Sequence, residues 1–282
     1  MWPITEFDPS REALIEPSEV QVCAPGERPP PSGHMGGSGI APCAVLCFFG
    51  DVVERISKSS KATVVDRLVS EHGEHLVYEI DHRGERLAFF QPGVGAPLSA
   101  AFFEEAIGRG VRTAVACGAA GALLPELRLG QVVLLTSALR DEGTSYHYLP
   151  PSRVVTADVG MVEVLSAALE REGVAFTKAR TWSTDGIYRE TPEKVRKRRE
   201  EGCAVVEMEA SALFAVARWR GVRFGQLVYA GDSLAGDSWD HREWIAAHEV
   251  RERLFWLAAD ACVAAGHHDS GRVEASSLRG PT

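Results

Sequence analysis

Two carboxylates stand two positions apart in residues 206–210, where Met208 separates Glu207 from Glu209. In an extended chain, side chains two positions apart point to the same side. A carboxylate in that setting can accept hydrogen bonds from both hydroxyls of a vicinal diol such as ribose, and charge-assisted hydrogen bonds are the stronger kind. The alternative interpretation is that both acids complement the dipole of a helix that begins beside them.

A third acid, Asp232, stands in Gly231-Asp232-Ser233 at the end of an apolar run. Desolvation at the end of a buried strand favours the protonated form of an acid and makes it a proton donor. Cleavage of a nucleoside requires such a donor, because the departing base takes an electron pair from an oxocarbenium-like centre. The alternative is an Asp that only caps the following segment.

Two other segments have the composition of ligand contacts. Gly118-Ala119-Ala120-Gly121 allows a backbone to approach a ligand closely, since glycine has no side chain. Residues 140–148 are dense in polar and aromatic groups directly after a predicted strand, which indicates either a binding loop or a turn held by its own hydrogen bonds. Gly93-Val94-Gly95 lacks the third glycine of a dinucleotide fingerprint, so we predict no nicotinamide cofactor.

The elements that must position these residues alternate along the chain. We predict strands at residues 44–49, 76–80, 86–90, 113–117, 131–137, 179–183, 204–206 and 226–230, and helices at residues 97–109, 160–172, 210–219 and 245–265. Apolar strands alternating with helices indicate an α/β fold with a mixed or parallel sheet covered by helices. Ligands of open α/β sheets bind beyond the carboxyl ends of strands, where the segments above stand.

One catalytic domain over residues 43–265 is the simplest organisation. Residues 1–42 form an N-terminal extension with a Pro/Gly-rich loop at residues 25–42, and the polar residues 266–282 are predicted to be a flexible tail.

Composition excludes several classes of protein. The net charge is −9, and the basic run at residues 194–199 is surrounded by Glu190, Glu193, Glu200 and Glu201, which indicates a solvated helix face rather than a nucleic-acid patch. No apolar run is long enough for a membrane span. The six cysteines are dispersed, so we predict free thiols in a reducing cytoplasm and no metal site.

The combination resembles the purine nucleoside/uridine phosphorylase superfamily from about residue 44 to residue 265. The matching segments are Val206-Glu207-Met208-Glu209-Ala210, Gly118-Ala119-Ala120-Gly121-Ala122 followed by Leu129-Gly130-Gln131, Arg140-Asp141-Glu142-Gly143-Thr144-Ser145 and Gly231-Asp232-Ser233. The resemblance implies a three-layer α/β/α fold with a central mixed sheet, a homo-oligomer and no cofactor.

The resemblance also implies roles for individual residues. Met208 and Glu209 would hold the ribose hydroxyls with support from Glu207, and Asp232 would protonate a purine base. The residues implied at the base or in the surrounding loops are Gly118, Ala119, Ala120, Asp185, Tyr188 and Ser233. Those implied near the sugar are Glu142, Ser145 and His147. The Gln-x-Arg insert with which uridine members read a pyrimidine is not evident after Tyr188.

The chain departs from the family at the phosphate site. Family phosphorylases carry arginines where this chain has Glu54, Glu79 and Ala116, although Arg55 or Arg83 could substitute and Gly50 is retained. Without those arginines a phosphate site loses most of its favourable charge. A carboxylate at Glu54 could instead activate water as a general base, as in the nucleosidase branch of the superfamily.

We therefore expect cleavage of a nucleoside N-glycosidic bond, with a purine favoured and water favoured over phosphate as the co-substrate. Two alternatives stay open. One is a phosphate-dependent phosphorylase of the purine or the uridine type, since residues 140–148 resemble the uridine branch. The other is a module that binds a nucleoside and catalyses nothing.

Overall fold

The computed structural model describes residue 4 and residues 6–17, 39–59 and 61–277, with side chains up to residue 267. Most of the predicted Pro/Gly-rich loop at residues 25–42 lies outside the described residues. The strands of the described part are β1 (Cys43–Cys47), β2 (Thr63–Ser70), β3 (Gly73–His82), β4 (Glu85–Phe90), β5 (Thr113–Ala122), β6 (Val132–Asp141), β7 (Val154–Thr156), β8 (Phe176–Thr184), β9 (Cys203–Glu207) and β10 (Arg223–Ser233). Its α-helices are α1 (Gly50–Ser59), α2 (Ala96–Gly108), α3 (Val159–Arg171), α4 (Pro192–Glu200), α5 (Ala210–Arg220) and α6 (His248–Ser277).

The strands form one mixed sheet, which confirms the predicted fold class. Its order is β10-β6-β8-β9-β5-β1-β4-β3-β2, with β7 paired to β6. Strand β5 is parallel to β1 and β10 and pairs with β9 only at its last two residues, Gly121 and Ala122. Strand β10 also pairs with β6. Five strands therefore form a closed ring of paired neighbours, in the order β5, β10, β6, β8 and β9. The carboxyl ends of β5 and β9 are therefore neighbours.

Helices cover the sheet on both faces. On one face, Phe102 and Phe103 of α2 pack with Leu213 and Phe214 of α5 in one hydrophobic cluster. On the other face, α1, α3 and α6 bury a second cluster that includes Phe255. The three layers α/β/α follow from strands that are apolar on both sides, since each side must be covered to bury its side chains.

Three segments predicted to lie beyond the ends of strands belong to the strands themselves. Residues 118–121 continue β5, residues 140–141 end β6, and residues 231–233 end β10. Small side chains permit the close packing around β5, because a Cβ added at Gly121 would lie 2.7 Å from Cδ1 of Leu234 and 3.0 Å from Cγ1 of Val206. Pairing with β9 and β10 then supplies backbone hydrogen bonds that continue the strand.

The ends of the domain also differ from the prediction. The core begins before residue 43, because Ile40 and Ala41 are buried and the N–H of Ala41 donates to Oε1 of Glu79 over 2.7 Å. Helix α6 continues to Ser277, so most of the predicted tail at residues 266–282 is helical. Lengthening a formed helix costs far less than starting one, which explains how this polar sequence extends α6. Helix α1 and strand β2 were not predicted.

The basic run does form a helix, α4, but not all of it is solvated. Arg198 is buried, with its guanidinium 5.3 Å from the ring centroid of Trp182 and 2.9 Å from Oδ2 of Asp141. The five cysteines within the described residues are free thiols. No helix in that part of the chain has the length and apolar character needed to cross a membrane.

Candidate active site

A cavity of about 310 Å³ opens where β5, β9 and β10 end. Residues 118–121, residues 206–209, Asp232 and Val94 line it, and all four segments are among the strand ends selected from the sequence. A second concavity of about 480 Å³ lies beside α2 and α5 and contains none of them. The first cavity is therefore the candidate active site.

Glu207 is buried, and both of its carboxyl oxygens accept hydrogen bonds from other groups of the protein. Its Oε1 accepts hydrogen bonds from the hydroxyls of Ser183 (2.5 Å) and Thr181 (3.2 Å), and its Oε2 accepts from the backbone N–H groups of Glu209 (2.7 Å) and Ala210 (2.6 Å). Burial raises the pKa of Glu207, and these four hydrogen bonds oppose that rise. Glu207 thus fixes the turn from β9 into α5 and positions its neighbours.

Glu209 is buried at the cavity wall and retains acceptor capacity. Its Oε1 accepts a hydrogen bond from the N–H of Gly95 over 2.6 Å, and Gly95 has a φ of 89°, which favours glycine. Burial first, and then the charge of Glu207, raise the pKa of Glu209 to about 8. Backbone donors at Gly95 and Met208 leave acceptor sites on this carboxyl group for a ligand hydroxyl.

Glu142 and Ser145 do not line the cavity, but they are hydrogen-bonded to residues that hold Glu207 in place. Glu142 accepts from the N–H of Ser145 (2.9 Å) and from the hydroxyl of Ser211 (2.9 Å). The N–H of Ser211 donates to Oγ of Ser183 (3.0 Å), whose hydroxyl in turn reaches Glu207. This hydrogen-bonded chain connects the predicted sugar loop to Glu207 through buried groups.

Asp232 is half-buried and lines the cavity at the end of β10. Its Oδ2 accepts a hydrogen bond from Nε1 of Trp239 over 2.6 Å. Its Oδ1 has no hydrogen-bond partner within the described residues. One oxygen of Asp232 is therefore held in place while the other is free to meet a ligand.

Glu190 lines the same cavity and was not selected from the sequence. It follows the short 3-10 helix Ile187–Arg189 and stands close enough to Asp232 to respond to its charge. Burial, and then the charge of Asp232, raise the pKa of Glu190 to about 7, while Lys194 lowers it. The site therefore has two pairs of acids: Glu207 with Glu209, and Asp232 with Glu190.

Gly118, Ala119 and Ala120 line the cavity, and they do so as part of β5, which continues beyond the predicted strand end at residue 117. A Cβ added at Gly118 would lie 3.2 Å from Cδ2 of Phe48, which also lines the cavity. A side chain at position 118 would therefore be in tight contact with the ring of Phe48 at the cavity wall.

Four other predicted contacts lie outside the cavity lining. Oδ2 of Asp185 accepts the N–H of Gly143 over 2.9 Å, and the backbone of Ser233 pairs with Asp240. Tyr188 is 94% exposed, and His147 is exposed at the end of a 3-10 helix. Asp185 still acts on the site, because its charge raises the pKa of Glu209.

Glu54 is not placed to activate water in this cavity. Its side chain on α1 is 66% exposed and pairs with Nζ of Lys58 at 2.5 Å, and it does not line the cavity. The hydrogen bond from Lys58 lowers the pKa of Glu54. An amphipathic helix explains this placement, because α1 buries Val52 and Ile56 and turns Glu54 to solvent.

The arginines proposed as substitutes are paired within the chain. Nε of Arg55 is 2.8 Å from Glu252, and Nη2 of Arg83 is 2.6 Å from Asp260. Glu79 does not face the cavity either, since Arg86 and the N–H of Ala41 bind it. Gly50 is exposed at the start of α1 and does not line the cavity.

Besides Glu190, two polar residues at the cavity were missed. Arg251 of α6 is almost wholly buried, with Nη2 2.6 Å from Oδ1 of Asp51 and its guanidinium 4.7 Å from the ring centroid of Phe49. Gln226 is 1% exposed, stands beside Ala116 in the β5–β10 register, and its Oε1 has no hydrogen-bond partner. Their sequence neighbours are ordinary helix and strand residues, so the pattern carried no signal for them.

Among the described residues, no group of three or more His, Cys, Asp or Glu side chains could hold a metal ion. The chemistry open to the site is proton transfer from a carboxylic acid and hydrogen bonding to hydroxyl and N–H groups.

The sequence model of the phosphorylase superfamily matches residues 42–263. This protein belongs to that superfamily and is an enzyme of it. It is 30% identical to guanosine phosphorylase from Halorubrum lacusprofundi over 203 residues, covering 70% of this chain and 84% of that protein. It is 28% identical to uridine phosphorylase from Thermococcus kodakarensis over 206 residues, covering 64% of this chain and 73% of that protein.

Solved structures show the same fold. A uridine phosphorylase from Vibrio fischeri superposes with a TM-score of 0.68 at 23% identity, covering 80% of this chain and 91% of that one. An AMP nucleosidase from Bacteroides thetaiotaomicron gives a TM-score of 0.66 at 18% identity, covering 82% and 91%.

Proposed function

We propose that this enzyme cleaves the N-glycosidic bond of a purine nucleoside. The observation that carries the proposal is that a single cavity gathers Met208, Glu209 and Asp232 from two strand ends. Met208 and Glu209 would hold the ribose, and the free Oδ1 of Asp232 would protonate the departing base. The resemblance stated from the sequence assigned these same roles, and the cavity is compatible with all of them.

The order of events follows from the chemistry of these groups. Holding the ribose hydroxyls fixes the sugar while the anomeric carbon develops oxocarbenium character. Proton donation from Asp232 neutralises the electron pair that the base takes with it, and general acid catalysis of this kind contributes about 10²–10⁴-fold in rate. The phenyl ring of Phe48 and the indole of Trp244 add apolar walls to the cavity.

Water is the acceptor that we favour for the sugar. Acids dominate the polar lining, and those of them that are ionised disfavour a phosphate dianion. The acids that line the cavity are Glu190, Glu207, Glu209 and Asp232. Glu54 faces solvent, so the hydrolytic proposal no longer rests on a general base at that position. It now rests on the excess of acids over Arg251, the one cationic side chain among the described lining residues, which is paired with Asp51.

Phosphorolysis is the second candidate, and Arg251 favours it. This guanidinium lines the cavity and pairs with Asp51 in the first turn of α1. A phosphate could bind between Arg251 and the N-terminus of α1, because guanidinium groups and helix N-termini both attract anions. Arg251 would then replace the family arginines missing at positions 54, 79 and 116.

Incubation with a panel of nucleosides, with and without phosphate, separates these candidates. Hydrolysis predicts release of base without phosphate, with free ribose as the second product. Release that requires phosphate and yields ribose 1-phosphate would favour Arg251 and phosphorolysis. Nucleoside binding without release of base would favour a non-catalytic binding module and contradict both.

We also infer a homo-oligomer that acts in the cytoplasm. Val94, Ile187 and Trp239 line the cavity, yet each side chain is more than half exposed. Exposed apolar groups at the edge of a site are typical of a contact surface. Light scattering on the purified protein tests the oligomer, and a monomer at micromolar concentration would contradict it.

A further inference from the structure

Gln226 lies within β10, and its buried side chain lines the candidate active site. The residue is 1% exposed, and its Oε1 has no hydrogen-bond partner among the described residues. A buried amide oxygen without a donor is unfavourable, so a site that keeps one needs a ligand or an ordered water to supply that donor. Because Gln226 lines the cavity, the cavity is where such a donor can bind.

Gln226 and Asp232 lie toward opposite ends of the cavity. Gln226 is level with Ala116 in the β5–β10 register. A Cβ added at Gly121 would lie 3.5 Å from Oδ1 of Asp232. Ala116 and Gly121 are five positions apart in β5, which corresponds to roughly 17 Å of strand. A nucleoside whose base meets Asp232 therefore has Gln226 on the side of its sugar that faces away from the base.

The residues of β5 beside Gln226 have little or no side chain. Ala116 is wholly buried and presents only a methyl group, and Gly118 is the next lining residue on that strand. The ring of Phe48 lies against Gly118 and is apolar. The amide of Gln226 is therefore the polar group at this end of the cavity, among small and aromatic neighbours.

We propose that Oε1 of Gln226 accepts a hydrogen bond from the water that attacks the sugar, and thereby positions this water opposite the departing base. This inference rests on the proposed function, since it names a residue that acts on the co-substrate of the same reaction. An amide oxygen only accepts hydrogen bonds. Water can donate one hydrogen to it and still direct a lone pair at the anomeric carbon. A phosphate dianion has a single O–H group and several acceptor oxygens, so it suits an unpaired acceptor less well.

The reaction is balanced with water as the only co-reactant. The bond between C1′ and the base nitrogen breaks, and its electron pair goes to the base, which takes the proton of Asp232. The oxygen of water forms the new bond to C1′. The proton that this water sheds passes to solvent, from which the carboxyl group of Asp232 regains its acid form. Gln226 exchanges no proton, so its contribution is to hold the nucleophile in line with the breaking bond.

Gln226→Met removes the amide and keeps the length of the side chain. We expect kcat for a purine nucleoside to fall roughly 10- to 100-fold, because the water is no longer held in place. The KM should stay close to the wild-type value, since the contacts to sugar and base remain. The melting temperature should equal or exceed that of the wild type, because the protein loses an unpaired buried polar atom. Gln226→Glu retains an acceptor and should restore most of the activity.

Gln131→Met is the matched control. Gln131 precedes β6 and does not line the cavity. Its amide donates to Oγ1 of Thr177 over 3.0 Å and accepts from the N–H of Arg128 over 3.3 Å. Loss of these hydrogen bonds should lower the melting temperature and leave kcat unchanged. The two Gln→Met variants should therefore affect activity and stability in opposite ways.

Competition between water and methanol measures the position of the nucleophile independently of the amount of folded enzyme. In a buffer that contains methanol, attack by water gives ribose, and attack by methanol gives methyl riboside. The wild type should form less methyl riboside than the share of methanol in the solvent predicts. In Gln226→Met, the ratio of methyl riboside to ribose should rise several-fold, and in Gln131→Met it should match the wild type.

A product ratio in Gln226→Met equal to that of the wild type would overturn the proposal, whether or not kcat falls. Activity in Gln226→Glu as low as in Gln226→Met would also overturn it, since an acceptor at this position would then be without effect. Release of base that requires phosphate would reject water as the nucleophile and leave the proposed cleavage intact. If the wild type releases no base from any nucleoside, the proposed function itself fails.

Discussion

Nε1 of Trp239 donates a hydrogen bond to Oδ2 of Asp232 over 2.6 Å, and this contact joins the end of β10 to the segment that follows it. The indole of Trp239 is itself 62% exposed. The bond holds one carboxyl oxygen of Asp232 and leaves Oδ1 for the base. A single side chain outside the sheet thus orients the proposed proton donor.

Replacement of Trp239 by Phe keeps an aromatic ring and removes the donor. We expect kcat to fall about ten-fold at most, because one hydrogen bond contributes on the order of 0.5–1.5 kcal/mol and this one orients Asp232. Steady-state kinetics measure this, with Trp219→Phe as the control, since Trp219 packs on Phe7 at the end of α5. An unchanged kcat in Trp239→Phe would show that the indole does not position Asp232.

Local patterns in the sequence predicted the parts of the site that occupy consecutive positions at strand ends. Glu207, Met208, Glu209 and Asp232 were predicted as ligand contacts, and the structure places all of them at one cavity. The sheet, its mixed character and its helical cover also followed from the alternation of apolar runs. In these cases a physical pattern within a few residues determines the local structure.

The residues that enter the cavity from elements other than these strand ends were not marked by any local sequence pattern. Glu190 was interpreted as one of several acids around a basic helix, and Arg251 does not belong to the apolar stripe from which the closing helix was predicted. Glu54 was placed by counting along the chain, but the face of α1 on which a residue lies decides whether it meets the cavity. Burial of Val52 and Ile56 turns Glu54 to solvent, and that outcome depends on packing against α6.

Glu54→Gln should leave turnover within about two-fold of the wild type. The reason is that Glu54 pairs with Lys58 in solvent, and exposed pairs contribute about 0–1 kcal/mol. Arg251→Met is the informative comparison in the same assay, since it removes the guanidinium that lines the cavity. A large loss of kcat in Glu54→Gln would restore the general-base assignment.

Glu207→Gln should destabilise the protein. The amide nitrogen cannot accept the hydrogen bonds that both carboxyl oxygens now receive, from the backbone N–H groups of Glu209 and Ala210 and from two hydroxyls. A buried donor left without its acceptor costs about 1–3 kcal/mol. Urea unfolding measures the change, and Glu193→Gln on the surface should remain within ~0.5 kcal/mol of the wild type. Equal stability of the two variants would contradict the role of Glu207 as an anchor.

Stability should fall as the pH rises from about 4.5 to about 8, and Glu209 should account for part of the fall. The folded protein keeps the proton of Glu209 up to a pKa of about 8, whereas the unfolded chain releases it near the ordinary glutamate pKa of 4.5. Between these values the folded state binds more protons, so the free energy of unfolding decreases with increasing pH.

Glu209→Gln should weaken this decrease between pH 6 and pH 8.5, measured by urea unfolding at each pH. Glu190, with its pKa of about 7, contributes with the same sign, so part of the slope should persist in the variant. Glu193→Gln should keep the full slope of the wild type. A slope in Glu209→Gln as steep as the wild-type slope would mean that the Glu209 carboxyl group is ionised in the folded protein.

The most direct test of the central claim is release of free base from a purine nucleoside, followed for wild type and Asp232→Asn in the same assay. The proposal predicts release by the wild type and a rate about 10²–10⁴-fold lower in Asp232→Asn, with an unchanged melting temperature. Asp237→Asn, on the exposed segment beyond β10, should match the wild type. Release at the wild-type rate by Asp232→Asn, or no release by the wild-type enzyme, would contradict it.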